Sequence, residues 1–405
     1  MSFQKIADLH RKKTEELLKS VNFEEIVKKV REIRSNSLKN LENLKKDLKE
    51  NLQKNGIKVI EVKNREELKD FLFKIIPKGE ILVKSKSNVM NELEIKQLFD
   101  GRNEIVETDC GDFIIDLLKE KPSHPIVPAV KIPFEKIKGA LEKKFEVKIK
   151  DAKEATEFVK NFISEGIKKA KIGLSGANFI SSDGFILITE NEGNISLILK
   201  SVEKFIIIAS IDKIVRSFEE ASFLCKIQAL FALGSLPSFI NVIGGITKTA
   251  DIENKLVYGM HGAKEIYLIL VDNGRSKIIG TEFEELLYCI NCGSCLYFCP
   301  VYRSLQEKFG FKYLGGRGIG LASLIFGKEK IFEKIFYCTT CSLCKKVCPA
   351  GIDLPNIIRK IREICSRENL ITESNLEMLE NVEAFGNPFG EALKEGKMPE
   401  RLYCC

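Results

Sequence analysis

Two short runs of cysteine constrain this chain more than anything else in it. Cys289-Ile-Asn-Cys292-Gly-Ser-Cys295-Leu-Tyr-Phe-Cys299-Pro300 is matched by Cys338-Thr-Thr-Cys341-Ser-Leu-Cys344-Lys-Lys-Val-Cys348-Pro349. Each reads C-x2-C-x2-C-x3-C-P, the spacing that holds a [4Fe–4S] cluster. One tight loop can offer close thiolates to most of a cluster's irons, but the last iron needs a sulfur from elsewhere. Where two such runs share a fold, the fourth Cys of each ligates the other cluster. That rule assigns Cys289, Cys292, Cys295 and Cys348 to one cluster, and Cys338, Cys341, Cys344 and Cys299 to a second. Structural zinc is the competing reading, but its Cys pairs usually lie far apart and often include His. A disulfide framework does not suit a long chain without a secretion signal.

A chain of 405 residues has room for two or three domains and a large core. With 44% hydrophobic and 30% charged residues it reads as soluble and globular. The first ten residues contain no apolar stretch of the secretory kind. The most apolar long run, 223–246, is interrupted by Lys226, Gln228, Pro237 and Asn241, so it reads as buried helix and loop rather than a membrane span. The expected location is the cytoplasm, where cluster cysteines stay reduced until metallated. The formal charge is +7, yet both signs are interspersed and no basic block with interleaved aromatics occurs, which argues against nucleic-acid binding.

Residues 1–56 read as a helical segment. Leu17, Leu18, Val21, Ile26, Val27, Val30 and Ile33 form a stripe at helical spacing, and Leu38, Leu41, Leu44, Leu48 and Leu52 continue it to a stop at Asn55-Gly56. From 57 to 280, strands at 57–62, 80–84, 104–108, 195–199, 204–209 and 265–271 alternate with helical patterns, which implies an α/β domain with a mostly parallel sheet. Ligands on such sheets sit beyond the carboxyl ends of the strands. The loop Lys84-Ser85-Lys86-Ser87-Asn88 lies at one such end and suits either an anion or a helix cap. Asp272-Asn-Gly-Arg275 ends another strand. Glu190, Glu192 and Asn194 suit either a polar ligand or a hairpin turn. His124 lies in a rigid loop with three prolines. Between the cysteine runs, Gly315-Gly-Arg-Gly-Ile-Gly320 fits no phosphate-binding pattern and reads as a turn into a helix over 321–335. Residues 281–370 therefore read as an α-helical two-cluster ferredoxin, and 371–405 as a tail. Cys404 and Cys405 at its end are expected to be dispensable, since eight ligands are already present.

On Lys84-Ser-Lys-Ser87, Glu107-Thr-Asp109, Pro122-Ser-His124, Ser175-Gly-Ala-Asn178, Glu190-Asn-Glu-Gly-Asn194 and Asp272-Asn-Gly-Arg-Ser-Lys277, followed by both cysteine runs, the chain resembles the lactate utilization protein B family over roughly residues 57–365. Departures are Lys131 after Pro128-Ala129-Val130, and Cys110-Gly111-Asp112 after the Thr-Asp pair. The resemblance implies an α/β LUD domain, similar to sugar-phosphate isomerase and CoA-transferase-like folds, fused to an α-helical ferredoxin. It implies two [4Fe–4S] clusters, partner subunits, and oxidation of L-lactate to pyruvate, with an unspecified electron acceptor. Candidate substrate-binding residues are then Lys84, Ser85, Ser87, Asn178, Glu190, Asn194, Asp272 and Arg275. Lys84 and Arg275 are expected to grip a 2-hydroxy acid's carboxylate in one polar cleft, with His124 exchanging its hydroxyl proton. Other readings are an iron–sulfur carrier in a heterodisulfide-reductase-like complex and a metabolite-binding redox sensor.

Overall fold

The runs rich in Ile, Val and Leu pair into a six-stranded sheet in the order 57–62, 265–271, 204–210, 172–175, 82–84, 105–107. Every pairing in it is parallel. The computed structural model describes residues 3–398, so Cys404 and Cys405 lie outside the described residues. Strands Lys204–Ser210 and Glu265–Val271 sit in the middle and are buried almost throughout, as a sheet covered on both faces requires. On one face, Leu68, Leu72, Met90 and Phe99 pack on Leu174, Ile206, Ile208 and Ile269. On the other, Leu44, Leu48, Leu52, Val159 and Ile163 pack on Phe205, Ile207 and Leu268. A second, mixed sheet of four strands, in the order 214–215, 179–181, 185–190, 239–243, extends the domain.

Three helices, Phe3–Ser20, Phe23–Lys39 and Leu41–Lys54, precede the first strand. The leucines of the third belong to the sheet's core, whereas Phe3, Ile6, Val30 and Ile33 of the first two share a core with the cysteine-bearing region. Helix Phe218–Leu233 reaches the same core through Leu224, Cys225 and Phe231. One continuous apolar core therefore joins the helical arm, the α/β domain and the short helices around the cysteine runs.

Three expectations are corrected. Residues 195–199 are not a strand but part of helix Asn194–Ser201. Their apolar run is held helical because the Glu190 carboxylate accepts from the amides of Ile195 (2.7 Å) and Ser196 (3.2 Å), two donors the helix start leaves open. Gly315–Ile325 is helical from its first glycine rather than a turn followed by helix. A Cβ at Gly318 would stand 2.2 Å from the Tyr313 carbonyl oxygen, so glycine is needed where this helix folds back on strand Tyr313–Leu314. The stretch after Leu233 is not all loop, for it forms edge strand Phe239–Ile243.

Candidate functional site

Beyond the carboxyl ends of strands 82–84, 105–107, 172–175 and 204–210 lies a cavity of ≈ 330 Å³. Lys86, Ser87, Asp109, Asn178, Ser210 and Lys213 line it from the loops that follow those strands, and Glu190, Glu192 and Asn194 line it from the second sheet and the next helix. Its far wall is not α/β domain at all: Asn291, between the first two cysteines, and Tyr313 also line it. Gln228 ties the two sides together. Its Nε2 donates to the Ile290 carbonyl at 2.5 Å, and its Oε1 accepts from Asn178 Nδ2 at 2.6 Å. Lys213 Nζ lies 3.4 Å from the Cys289 carbonyl oxygen and 3.7 Å from Asp212. Burial lowers the Lys213 ammonium to about 8 against the pull of Asp212.

Of the sequence-derived candidates, Ser87, Asn178, Glu190 and Asn194 line this cavity. Lys84, Ser85, Asp272, Arg275 and His124 do not, and Lys84, Arg275 and His124 share no cleft. Lys84 is buried with its Nζ 2.8 Å from Glu107 and 3.9 Å from Asp112. Burial works against its charge, but the two carboxylates outweigh burial and its pKa rises. Arg275 is buried with both terminal nitrogens on Glu92 (3.0 and 2.5 Å) and its Nε on Asp212 (2.8 Å). These cations are consumed by internal carboxylates because a buried charge must be paired. Ser85 Oγ donates to Ser175 Oγ at 2.9 Å, and Asp272 accepts from Ser276. His124 Nδ1 accepts from the amides of Ile126 and Val127, and its ring stacks 4.7 Å from Tyr297. Burial, helped by His10 and Lys86, drops its pKa to about 3, so it stays neutral.

The cysteines gather into two sets. Burial first, then neighbouring thiols, raises the pKa of Cys292 to about 12, beside Cys348 and Cys289, and that of Cys348 to about 11, beside Cys289. Cys295 is raised by burial and by Cys292, Cys289, Cys344 and Cys348. In the other set, Cys299 is pushed to about 11 beside Cys338 and Cys341, and Cys344 to about 12 beside Cys299, Cys338 and Cys341. Cys299 and Cys348 are thus each within electrostatic range of thiols of the opposite run. Cys344 lies within electrostatic range of Cys295 and Cys348, which brings the two sets near each other. Both loops use left-handed backbone at matching places: Asn291 (φ 59°) and Gly293 (φ 80°) in the first, Thr340 (φ 53°) and Ser342 (φ 66°) in the second.

Residues 45–271 match the LUD domain, and residues 285–352 match the 4Fe-4S dicluster domain. The chain belongs to the LUD domain family. Among similar proteins, "Lactate utilization protein B" of Bacillus cytotoxicus is 31% identical over 315 residues, 76% of this chain and 65% of that protein. The protein of the same name from Anoxybacillus flavithermus is 31% identical over 306 residues, 74% of this chain and 63% of its own. The chain spans less than two thirds of the length of these relatives. A solved DUF162 family protein from Deinococcus radiodurans aligns with a TM-score of 0.29 and 12% identity over 57% of this chain and 98% of its own, too slight a likeness to build on.

The dicluster match indicates iron–sulfur clusters of the [4Fe–4S] kind in this LUD-domain chain. Its own residues fit such a group. Beside Cys289, within electrostatic range, lies fully buried Arg34, whose Nε and Nη1 have no hydrogen-bond partner among the described residues. Arg317, close to Arg34 and Lys213, likewise leaves Nη1 without a hydrogen-bond partner among the described residues. In this buried cluster Arg34, Lys213, Arg275 and Arg317 face, among the described residues, only two carboxylates, Asp212 and Glu92. Surplus buried cations with open N–H groups suit an anionic thiolate-bound cluster at Cys289. At Gly293 a Cβ would fall 2.5 Å from His124 Nε2, so the glycine lets the Pro-bounded loop close over the first thiol set. The sequence reading took in Lys86 only as part of the 84–88 loop and passed over Lys213, Gln228 and Asn291 as site residues. Lys213 carried a signal, as a charged Asp-Lys pair directly after an apolar strand. Gln228 carried none, since only the tertiary fold brings it to Ile290.

Proposed function

We propose that this chain is the iron–sulfur electron-transfer subunit of an oxidoreductase complex that oxidises L-lactate to pyruvate. In this reading Cys289, Cys292, Cys295 and Cys348 hold one [4Fe–4S] cluster, and Cys338, Cys341, Cys344 and Cys299 hold the other. The units 57–280 and 281–370 supply substrate side and electron relay respectively. The supporting observation is the shared wall: the strand-end cavity and the first thiol loop meet at Asn291, Gln228 and Lys213. The names of the relatives add the substrate.

L-lactate yields pyruvate by losing two electrons and two protons. Each [4Fe–4S] cluster supplies one-electron chemistry. Hydride removal therefore belongs to a two-electron centre in a partner subunit, and this chain relays what that centre releases. Lys213 supplies positive charge to a carboxylate in the cavity, Lys86 being held by Asp109 at 2.5 Å and by the Ile126 carbonyl, and Asn178 and Asn194 supply amide groups that orient a hydroxyl. Gln228 holds the wall against Ile290, so an occupant is sensed by the loop carrying Cys289 and Cys292. The test is anaerobic reduction of the assembled complex by L-lactate, followed by the loss of cluster absorbance. Gln228→Ala is expected to slow it at least tenfold without changing iron content. Clusters that no 2-hydroxy acid reduces in the assembled complex would remove lactate from the proposal.

A further inference from the structure

A second concavity, an open groove of ≈ 1060 Å³, runs past the other thiol set. Its floor includes Pro300 and Val301, next to Cys299, and Thr339, next to Cys338. Cys341 of the same set is exposed, the only one of the eight thiols that is. This is where an electron would most readily leave the protein. Two large apolar side chains stand exposed in the groove, Leu305 (36%) and Tyr337 (38%).

The rim is basic, and its charges are unspent. Glu120 and Glu307 line the groove but are neutralised from outside it, by Lys136 (2.5 Å) and Lys131 (2.7 Å). Lys119, Lys121 and Lys308 are exposed and have no carboxylate partner among the described residues. Lys334 is lowered by burial and further by Lys121, so the lysines repel one another. An apolar centre inside a charged rim is the anatomy of a protein interface, and charge of one sign there raises the association rate of an oppositely charged partner. A chain of net charge +7 repels its own copy, which disfavours self-association at this face.

We propose that this groove docks a small one-electron carrier protein with an acidic rim around its redox centre. The proposal rests on the cluster assignment above. The step is a single electron transfer: the cluster held by Cys338, Cys341, Cys344 and Cys299 is oxidised, the carrier is reduced, and no bond forms or breaks. The carrier meets Leu305 and Tyr337 with apolar surface and the lysines with carboxylates.

The test uses full-length protein with clusters intact, reduced by dithionite and mixed in stopped flow with an acidic-rimmed b-type cytochrome or a basic cytochrome c. Iron content and visible absorbance before mixing establish that clusters are present, so a failure of the cluster assignment shows itself separately. For wild type, the rate to the acidic cytochrome is expected to fall steeply with salt. The surface variant Lys119→Glu/Lys121→Glu/Lys308→Glu is expected to lower that rate at least tenfold at low salt and to raise the rate to cytochrome c. A charge-neutral companion, Tyr337→Ser, is expected to slow the acidic cytochrome several-fold while leaving the salt slope unchanged. Unchanged rates and salt slopes in the triple variant, with clusters reduced normally, would overturn the proposal. So would tight binding of free FMN that the triple variant abolishes, since the groove's occupant would then be a small anion.

Discussion

His124 is buried too deeply to serve as an acid–base group, and that burial has a measurable consequence. Its folded pKa of about 3 lies below the ordinary 6.5, so the unfolded chain binds the extra proton between those values. Its contribution to stability is therefore complete above pH 6.5 and is lost as pH falls towards 3. By pH 5 the loss should be about 2 kcal/mol. His124→Phe keeps the stack on Tyr297 but removes the titration and the acceptor for Ile126 and Val127. Urea unfolding should show the variant about 1–3 kcal/mol less stable at pH 7.5 but flatter towards pH 5 than wild type; parallel pH profiles would show that His124 is not the group responsible. Arg34 gives a second contrast. Its open N–H groups burden the iron-free protein and serve the loaded one. Arg34→Met is expected to leave the iron-free protein at least as stable while the cluster at Cys289 is lost several-fold faster. Equal destabilisation of both forms would make Arg34 merely a bracket for the Leu287 carbonyl. From sequence, His124 and Arg275 announce only their chemical type. Whether a cation faces a ligand or an internal carboxylate depends on Glu92 and Asp212, which the sequence places 183 and 63 residues from Arg275.

At the scale of elements, the cysteine loops were the most legible part of the chain, because eight thiols and two prolines at fixed spacing leave few geometries open. Five of the six parallel strands were legible for a similar reason, being apolar runs between helical patterns, whereas Ile172–Ser175, short and broken by Gly173, was not read as a strand. Helix Asn194–Ser201 was not legible, because its run of Ile and Leu suits either state and the Glu190 carboxylate, five residues before Ile195, decides between them by capping the helix start. The two thiol loops are unequal in one respect. The first places Asn291 and Gly293 where the backbone is left-handed, and the second places Thr340 and Ser342 there. A β-branched residue in that region is strained. Giving the second loop the residues of the first, Thr340→Asn with Ser342→Gly, should stabilise the loaded protein by about 1–2 kcal/mol. The temperature at which the second cluster bleaches should rise accordingly; a fall would mean that the Thr340 or Ser342 side chain itself supports the cluster.

Across the whole molecule, the helical arm and helix Phe218–Leu233 weld the LUD domain to the cysteine-bearing helices, so cavity, first thiol set, second thiol set and basic groove follow one another in space. That order suits one-way relay from a substrate side to a carrier side. It also makes the arm indispensable: Phe3 packs on Tyr297 and Tyr302, 6.2 and 5.8 Å between ring centres. Deleting the first helix should accelerate loss of the first cluster in air several-fold, read as decay of visible absorbance, whereas an unchanged decay would make the helix a passive cover. Everything in this relay depends on crossed ligation, and one measurement reaches it directly. Iron, acid-labile sulfide and low-temperature EPR are measured on anaerobically purified wild type and Cys299→Ser. Wild type should hold about eight irons and show two interacting cluster signals. In Cys299→Ser the cluster of Cys338, Cys341 and Cys344 should change or be lost, with the cluster beside Cys299's own run intact. Zinc in place of iron, or damage confined to the cluster of Cys289, Cys292 and Cys295, would contradict it.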